Sequence, residues 1–386
     1  MKPFARFAPV VAGLVMLMNI SPSWGQPVCA APGCNPTMSD SNENTAGGTD
    51  ALFNVDETPS TGGNRNVAFG FHALTLNTTG SLNTALGHET LASNTMGTAN
   101  TAVGVGTLFA NTIGFANTAV GANVLVENIS GSANTAIGSN ALFVNTTGNE
   151  NTATGQHALL RNRTGNTNTA SGSNSMFAND AGSANTATGW QSLGSNVDGN
   201  NNTAIGTRAL FNSSTGSKNI GIGYQAGLAL TTGSNNIFIG NQGVGDEAQT
   251  IRIGTAQTRT FIAGINAASV SDAQVMVDTT TGQLGIVTSS ARYKQDIAAM
   301  GNTSGGVLKL RPVTFAYRSD AQHVTHYGLL AEEVAVVYPE LVTRTATGDV
   351  QTVKYQELIP MLLNELQRQQ RELAELRALV GSRLGQ

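Results

Sequence analysis

The polar and apolar positions of the central chain recur every 17 residues without slippage. Each unit reads Asn-Thr-Ala-x-Gly or a close variant, then a short apolar pair, then Asn-Thr-Thr-Gly or a variant. Short apolar stretches bounded by Gly and Asn predict short strands joined by tight turns, and a fixed-period array of such units predicts a solenoid. At about 5 Å between stacked strands, the eleven units would make a rod of roughly 50 Å. Their first asparagines are Asn66, Asn83, Asn100, Asn117, Asn134, Asn151, Asn168, Asn185, Asn202, Asn219 and Asn236.

A single unit carries little apolar surface of its own. Its second half holds one large apolar side chain, such as Leu74 or Met176, and its first half holds a small one, such as Ala68 or Ala85. Because alanine permits the close approach of neighbouring chains, we predict a trimer of solenoids, residues 63–245, that share a core. The motif also resembles the head repeats of trimeric autotransporter adhesins, which are parallel β-rolls in threes, although their unit is usually shorter.

Three kinds of ligand are known for repeat arrays of this composition: calcium, ice and glycans. Calcium-binding repeats need Asp at a fixed place, yet between the first and last unit Asp occurs only at Asp180 and Asp198. Ice binding needs an unbroken threonine ladder, which is interrupted at Val67, Ile220 and Ile237. The Asn- and Thr-rich surface suits contact with glycans, but no aromatic platform is evident. A structural stalk with an unidentified surface ligand is therefore the favoured interpretation.

After the array the pattern becomes more apolar. Alternating β-branched residues at 251–253, 261–265 and 275–277 are separated by Gly, Thr and Asn. This alternation predicts strands, and we expect residues 246–288 to form a β neck in which three chains are plaited together.

The chain closes with a predicted coiled-coil helix over residues 358–386. Apolar residues recur with heptad spacing, and charged residues flank them. We expect three strands in this coiled coil, to match the array. The a positions are Ile359, Leu366, Leu373 and Val380, and the d positions are Leu362, Gln369 and Leu376.

The N-terminus resembles an export signal. A basic start, a short apolar run and small residues before Gln26 predict a secretory signal peptide over residues 1–26, with an uncleaved anchor as the alternative. Residues 27–62 predict a flexible linker, in which Cys29 and Cys34 would form a small disulfide loop in an oxidising compartment. We therefore expect a secreted or cell-surface protein without a membrane span once the signal is removed.

Composition excludes several other functions. The 386 residues include 45 Gly and only 11% charged residues, with a net charge of −4, so no basic surface marks a nucleic-acid partner. His323 and His326 lack an accompanying Cys or carboxylate cluster, and we expect a structural histidine at position 326. Neither a cofactor nor a metal is predicted.

The junction between array and tail carries the candidate chemistry. Ser289 precedes Lys294 by five residues. A serine hydroxyl becomes a nucleophile only when a base removes its proton, and a lysine can be that base only when desolvation lowers its pKa. The spacing alone is a weak signal that occurs by chance in many chains.

The residues around this pair resemble a known family. They are similar to the auto-processing intramolecular chaperone domain of phage tailspikes and tail fibres, of the endosialidase type, which is cut just before its serine. Ser289, Arg292, Lys294 and Ile297 match its signature, and Ser290 stands where the family usually has Asp.

The segments that follow extend this resemblance. Residues 308–315, 327–334, 339–342 and 353–355 are similar to the strand and helix segments of the same domain, in the same order. The resemblance covers about residues 284–386.

It implies a chaperone domain, residues 289–357, that assembles the trimer and then removes itself. Lys294 would activate Ser289, which would cut after Thr288 as a single-turnover serine endopeptidase. Glu332 and Glu333 could assist the pair, although such residues more often begin a solvated helix. In the alternative, the tail never cuts and stays as a permanent trimerisation clamp on a structural or adhesive surface protein.

Overall fold

The computed structural model describes residues 38–40, 42–55, 62–262, 275–278, 281–345 and 347–384. The predicted signal peptide and the predicted disulfide pair, Cys29 and Cys34, lie outside the described residues. Two compact units divide at Thr260 and Phe261, and each is described by itself.

The first unit is a parallel β-solenoid, as the 17-residue period predicts. Its fourteen strands lie in chain order in one sheet; the first pair is antiparallel and every later pair is parallel. The strands are β1 Met38–Ser39, β2 Thr45–Gly47, β3 Val67–Phe69, β4 Thr84–Leu86, β5 Thr101–Val105, β6 Thr118–Ala122, β7 Thr135–Ile137, β8 Thr152–Thr154, β9 Thr169–Ser171, β10 Thr186–Thr188, β11 Thr203–Ile205, β12 Ile220–Ile222, β13 Ile237–Ile239 and β14 Ile251–Ile253.

Each coil turns through backbone conformations that residues other than glycine rarely adopt. In the coil from residue 134, Asn140, Leu142 and Glu150 have φ of 56°, 50° and 58°, and Gly138 has φ of 122°. Left-handed φ is uncommon for residues other than Gly, and for leucine it is strained. The stacking of coils must therefore offset a conformational cost that recurs in every repeat.

The core lies inside the single chain. Ala68 and Ala85 of the strands and Leu74 and Leu91 of the turns are completely buried. The prediction that these alanines face neighbouring chains in a shared core is therefore wrong. One coil cannot bury its apolar pair alone, but the coils above and below it in the same chain do so.

The core is closed at its C-terminal end by Phe238. Phe238 stands at the repeat position that a buried alanine such as Ala68 holds in earlier coils. Gly227 stands at the position that a buried leucine such as Leu74 holds. A Cβ on Gly227 would lie 2.7 Å from Cδ2 of Phe238 and 2.5 Å from Cδ2 of Leu210. The Phe238 ring therefore fills the space that an alanine and a leucine side chain occupy together in the earlier coils.

Two columns of buried asparagine join successive coils. In the first, Asn100 Oδ1 accepts hydrogen bonds from the backbone N–H of Asn117 at 3.0 Å and from its Nδ2 at 3.1 Å. Asn100 Nδ2 donates to the Gly114 carbonyl at 2.8 Å. One side chain thus satisfies three polar groups that the core would otherwise leave unpaired.

The second column is a chain of side-chain amides. Asn145 Nδ2 donates to Asn128 Oδ1 at 2.7 Å and to the Gly148 carbonyl at 3.0 Å. Asn145 Oδ1 accepts from Asn162 Nδ2 at 2.9 Å. A Cβ on Gly148 would lie 2.4 Å from Asn145 Oδ1, which explains the recurring glycine.

The solenoid begins earlier than residue 63. Thr45–Gly47 pairs in parallel with β3, and Asn44 Oδ1 accepts from the backbone N–H of Asn66 at 2.8 Å, across 22 residues. The expectation of a flexible linker over residues 27–62 therefore does not hold for residues 42–55. This coil carries the Asn-Thr-Ala motif but departs from the 17-residue period, which hid it.

The solenoid also continues past residue 245. Ile251–Ile253 pairs in parallel with Ile237–Ile239, fourteen residues earlier. The first strand predicted for the neck is thus the last strand of the solenoid, after a shortened coil.

The second unit is a small α+β domain with a long terminal helix. Its apolar core includes Val307, Val334, Tyr338, Leu341 and Met361. The antiparallel pairs are β15 Met276–Val277 with β16 Leu284–Gly285, β17 Val313–Phe315 with β18 His326–Gly328, and β19 Val342–Arg344 with β20 Val350–Val353; the α-helices are α1 Ala331–Val337 and α2 Tyr355–Leu384, and described 3-10 helices span Ala291–Tyr293, Thr303–Lys309 and Pro339–Leu341.

We predict that Asn145→Ala destabilises the solenoid by about 2–4 kcal/mol, because Asn128 Oδ1 and one N–H of Asn162 lose their partner in the core. Urea unfolding followed by circular dichroism measures this loss. Asn212→Ala is the matched control, since its amide forms one exposed bond to the Leu228 carbonyl and its removal should cost less than about 0.5 kcal/mol. Equal urea midpoints for the two variants would contradict the stabilising role of the second asparagine column.

We predict that Ser213→Asn stabilises the chain by about 1 kcal/mol. The second asparagine column stops at Asn196, because the next coil has Ser213, and both Asn196 Oδ1 and Ser213 Oγ are buried without a partner. An amide at position 213 would donate to Asn196 Oδ1 as its counterparts do elsewhere. The urea midpoint should rise, and a fall would show that the site cannot hold a larger side chain.

Candidate functional site

The junction segment folds into a tight turn. Residues Ala291–Tyr293 form a 3-10 helix with Ser290 as its N-cap residue. The backbone N–H of Tyr293 donates to the Ser290 carbonyl at 3.0 Å, and that of Lys294 donates to the Ala291 carbonyl at 3.0 Å. This turn directs the chain back toward Ser289.

The turn brings the two predicted site residues together. Lys294 Nζ lies 3.4 Å from Ser289 Oγ. This distance exceeds the range of about 2.7–3.2 Å typical of a well-formed N–H···O bond, and catalytic pairs are often long until the reacting state is reached. A small movement would bring the two side chains within that range.

Solvent reaches the whole site. Ser289, Lys294 and Thr288 are all exposed, and the Arg292 guanidinium lies over the Tyr293 ring, 4.7 Å from its centroid. The bond after Thr288 lies in an irregular segment between Leu284–Gly285 and the 3-10 helix. An accessible, irregular peptide can bend into the geometry that attack on its carbonyl requires.

Glu333 has a structural partner. Arg311 Nε donates to Glu333 Oε2 at 3.2 Å, and this hydrogen bond lowers the pKa of the Glu333 carboxyl and raises that of the Arg311 guanidinium. The pair links the segment before β17 to the first turn of α1. Its carboxylate is engaged there and not at Ser289.

His326 lies among aromatic rings. It stacks on Phe315 with centroids 5.7 Å apart and meets Tyr317 edge-on at 5.1 Å. These contacts give the imidazole a packing role within the β17 and β18 pair.

The sequence did not point to the side chains that attach α2 to the domain. Asn364 Nδ2 donates to the Gly301 carbonyl at 2.8 Å and to the buried Ser304 Oγ at 2.7 Å. Tyr338 Oη donates to the Thr303 carbonyl at 2.9 Å. Single polar residues without a motif carry no signal that would identify such contacts in advance.

Comparison with known proteins finds one family match, which lies within the second unit. Residues 289–343 match the family model described as chaperone of endosialidase, Peptidase_S74. This match confirms the predicted family resemblance, and the solenoid of repeats precedes it as predicted. No curated protein and no solved structure matches the chain. Across the described part of the chain, every helix is too short or too polar to cross a membrane.

Proposed function

We propose that the chain is a secreted or surface-exposed, fibre-like homotrimer whose C-terminal domain directs assembly and then cuts the chain between Thr288 and Ser289. One observation carries this proposal: the match to the chaperone family begins at Ser289, the residue whose hydroxyl lies 3.4 Å from the Lys294 amine.

The reaction is an acyl transfer within the chain. Neutral Lys294 takes the proton of Ser289 Oγ, and the oxygen attacks the Thr288 carbonyl carbon. The peptide C–N bond then breaks, and the Ser289 nitrogen takes the proton from Lys294. Water hydrolyses the resulting ester, leaving a Thr288 carboxylate and a fragment with a free Ser289 amine and hydroxyl.

Assembly would supply the removal of water around Lys294 that the single chain does not provide. A lysine acts as a base only in its neutral form, and burial favours that form because it disfavours the charged one. Packing of three copies around the junction would remove water from Ser289 and Lys294. Cleavage would therefore follow assembly and would not precede it.

The apolar surface of the second unit supports self-association. The a and d residues of α2 other than Gln369 have exposed fractions between 47% and 62% in the single chain. A helix with an unpaired apolar seam is stabilised when equivalent helices bury that seam. Further apolar residues are exposed before the junction in the chain; they include Phe261, Ile262, Val275, Val277, Leu284, Ile286 and Val287.

Assembly before cleavage explains what a chaperone domain would contribute. Long-range parallel pairing has a high closure cost, so three chains that build β-rods are prone to error. A tail that trimerises first raises the effective concentration of the array ends and sets their register. Once the tail is removed, the finished rods are held by a high unfolding barrier, which is kinetic stability.

The second candidate is a permanent clamp. Ser289 and Lys294 are both exposed, and Ser290 replaces the Asp that the family usually has, so a domain that trimerises without cutting fits these features. In that case the tail would stay on the fibre and function would rest on the solenoid surface.

We predict that the purified chain separates into an array that ends at Thr288 and a tail that begins at Ser289. Ser289→Ala and Lys294→Ala should each leave it intact, because one removes the nucleophile and the other the base. Ser290→Ala, which removes the neighbouring hydroxyl, is the matched control and should still be cut. Intact mass under denaturing conditions identifies the products.

If the wild-type chain stays whole and trimeric, the clamp is correct. Cleavage of Ser289→Ala at the same bond would exclude the proposed nucleophile.

We predict that Leu366→Asp combined with Leu373→Asp abolishes both trimerisation and cleavage, because carboxylates in the seam prevent burial of the apolar face. Sedimentation velocity gives the oligomeric state, and gel analysis gives the cleaved fraction. Ala378→Asp places the same charge on the outer face of the helix and should preserve both. A monomeric variant that still cuts would show that assembly is not needed to activate Lys294.

A further inference from the structure

From the coil of Leu108 onward, a column of mostly apolar residues follows the outer surface of the solenoid, one position after the buried leucine or the residue that replaces it. Backbone hydrogen bonds hold the column in register; the Glu127 N–H donates to the Phe143 carbonyl at 3.0 Å, and the Ser195 N–H donates to the Phe211 carbonyl at 3.0 Å. We refer to it as the phenylalanine column, and its members are Phe109, Val126, Phe143, Leu160, Phe177, Gly194, Phe211 and Leu228.

Phenylalanine recurs in this column at every second coil. Phe109, Phe143, Phe177 and Phe211 are 34 residues apart, which at the strand spacing is about 9–10 Å between successive rings. Phe109 is 37% exposed and the other three are partly exposed. Within the described solenoid no two of these rings contact each other, because a smaller residue separates each pair.

A row of polar side chains lies beside the rings. Asn140 Nδ2 lies 3.3 Å from His157 Nε2, and His157 Nδ1 lies 3.3 Å from Asn174 Oδ1. His157 also meets the edge of Phe177, with centroids 6.2 Å apart. Ordered donors and acceptors therefore border an apolar strip, which is the combination that binding sites for polyhydroxylated ligands use.

The column is positively charged at its C-terminal half. Arg161 lies over the Phe177 ring at 5.4 Å, and Arg208 lies over the Phe211 ring at 4.7 Å. Neither guanidinium has a carboxylate partner among the described residues, and Arg208 Nε is buried without an acceptor. Glu127 follows Val126 in the first half of the column.

We propose that the phenylalanine column binds an extended acidic polysaccharide. The apolar face of a pyranose ring packs on an aromatic ring, and in an equatorially linked chain each sugar is about as long as one coil is thick. Successive sugars are turned over, so every second sugar presents the same face, in step with a ring at every second coil. Sugar faces would pack on Phe109 and Phe143. Arg161 and Arg208 lie over the Phe177 and Phe211 rings and would meet the sugar carboxylates there.

This inference depends on the solenoid alone and holds whether or not the tail is cut. Phe109 and Phe211 lie six coils apart, about 29 Å, so a hexasaccharide spans six of the seven coil levels between them. The test is calorimetric titration of the full chain with a β-1,4-linked mannuronate hexasaccharide, and with cellohexaose, which has the same linkage but no carboxylates. We expect the acidic sugar to bind at least tenfold more tightly.

Two pairs of variants separate ring stacking from charge recognition. Phe109→Ala with Phe143→Ala should weaken mannuronate binding at least tenfold, whereas Phe115→Ala, a phenylalanine outside the column that is 55% exposed, should leave it unchanged. Arg161→Gln with Arg208→Gln should remove the preference for the acidic sugar.

Lys218→Gln is the matched control for the charge variants, because it neutralises a cation elsewhere on the solenoid, and it should keep that preference. Absence of binding to either sugar, equal binding of both, or equal losses in the column variants and their controls would overturn the proposal.

Discussion

The structure depends on hydrogen bonds between identical amides in successive coils. An asparagine such as Asn100 contacts both its own coil and the next one, so no coil satisfies its buried polar groups alone. The same neighbours offset the strain of left-handed residues such as Leu142. Because leaving a buried polar group unpaired is costly, the coils are stable only as a stack, and the ends of the stack need special residues. At the C-terminal end Phe238 closes the core, because its ring fills the space that an alanine and a leucine occupy in earlier coils.

Periodicity made the solenoid predictable. Eleven asparagines in register predicted eleven of the fourteen described strands, β3 to β13, and the buried glycines followed from the same repeat. The sequence misled where a coil departs from the period, as at Asn44 and Ile251, since spacing was the signal used to find coils. It also misled about Ala68, because a list of small residues does not tell whether they face a neighbouring coil or a neighbouring chain.

The candidate site could be predicted in part. The identity of Ser289 and Lys294 and their short separation suggested that one could reach the other, and the 3-10 turn from Ala291 to Tyr293 brings their side chains to 3.4 Å. Solvent exposure of the pair could not be predicted, because it depends on which surfaces other copies cover. The phenylalanine column was missed because its period spans two coils, so no single repeat shows it.

The one-dimensional order of the coils has a mechanical consequence. A pull on the two ends of the solenoid would act on the hydrogen bonds of the outermost strands first, since β1 and β14 are each bonded on one side only. The rod would then lengthen in discrete steps, each releasing one 17-residue coil and about 55–60 Å of extended chain. Such stepwise yielding absorbs work while the remaining coils stay folded, a property suited to a fibre under shear.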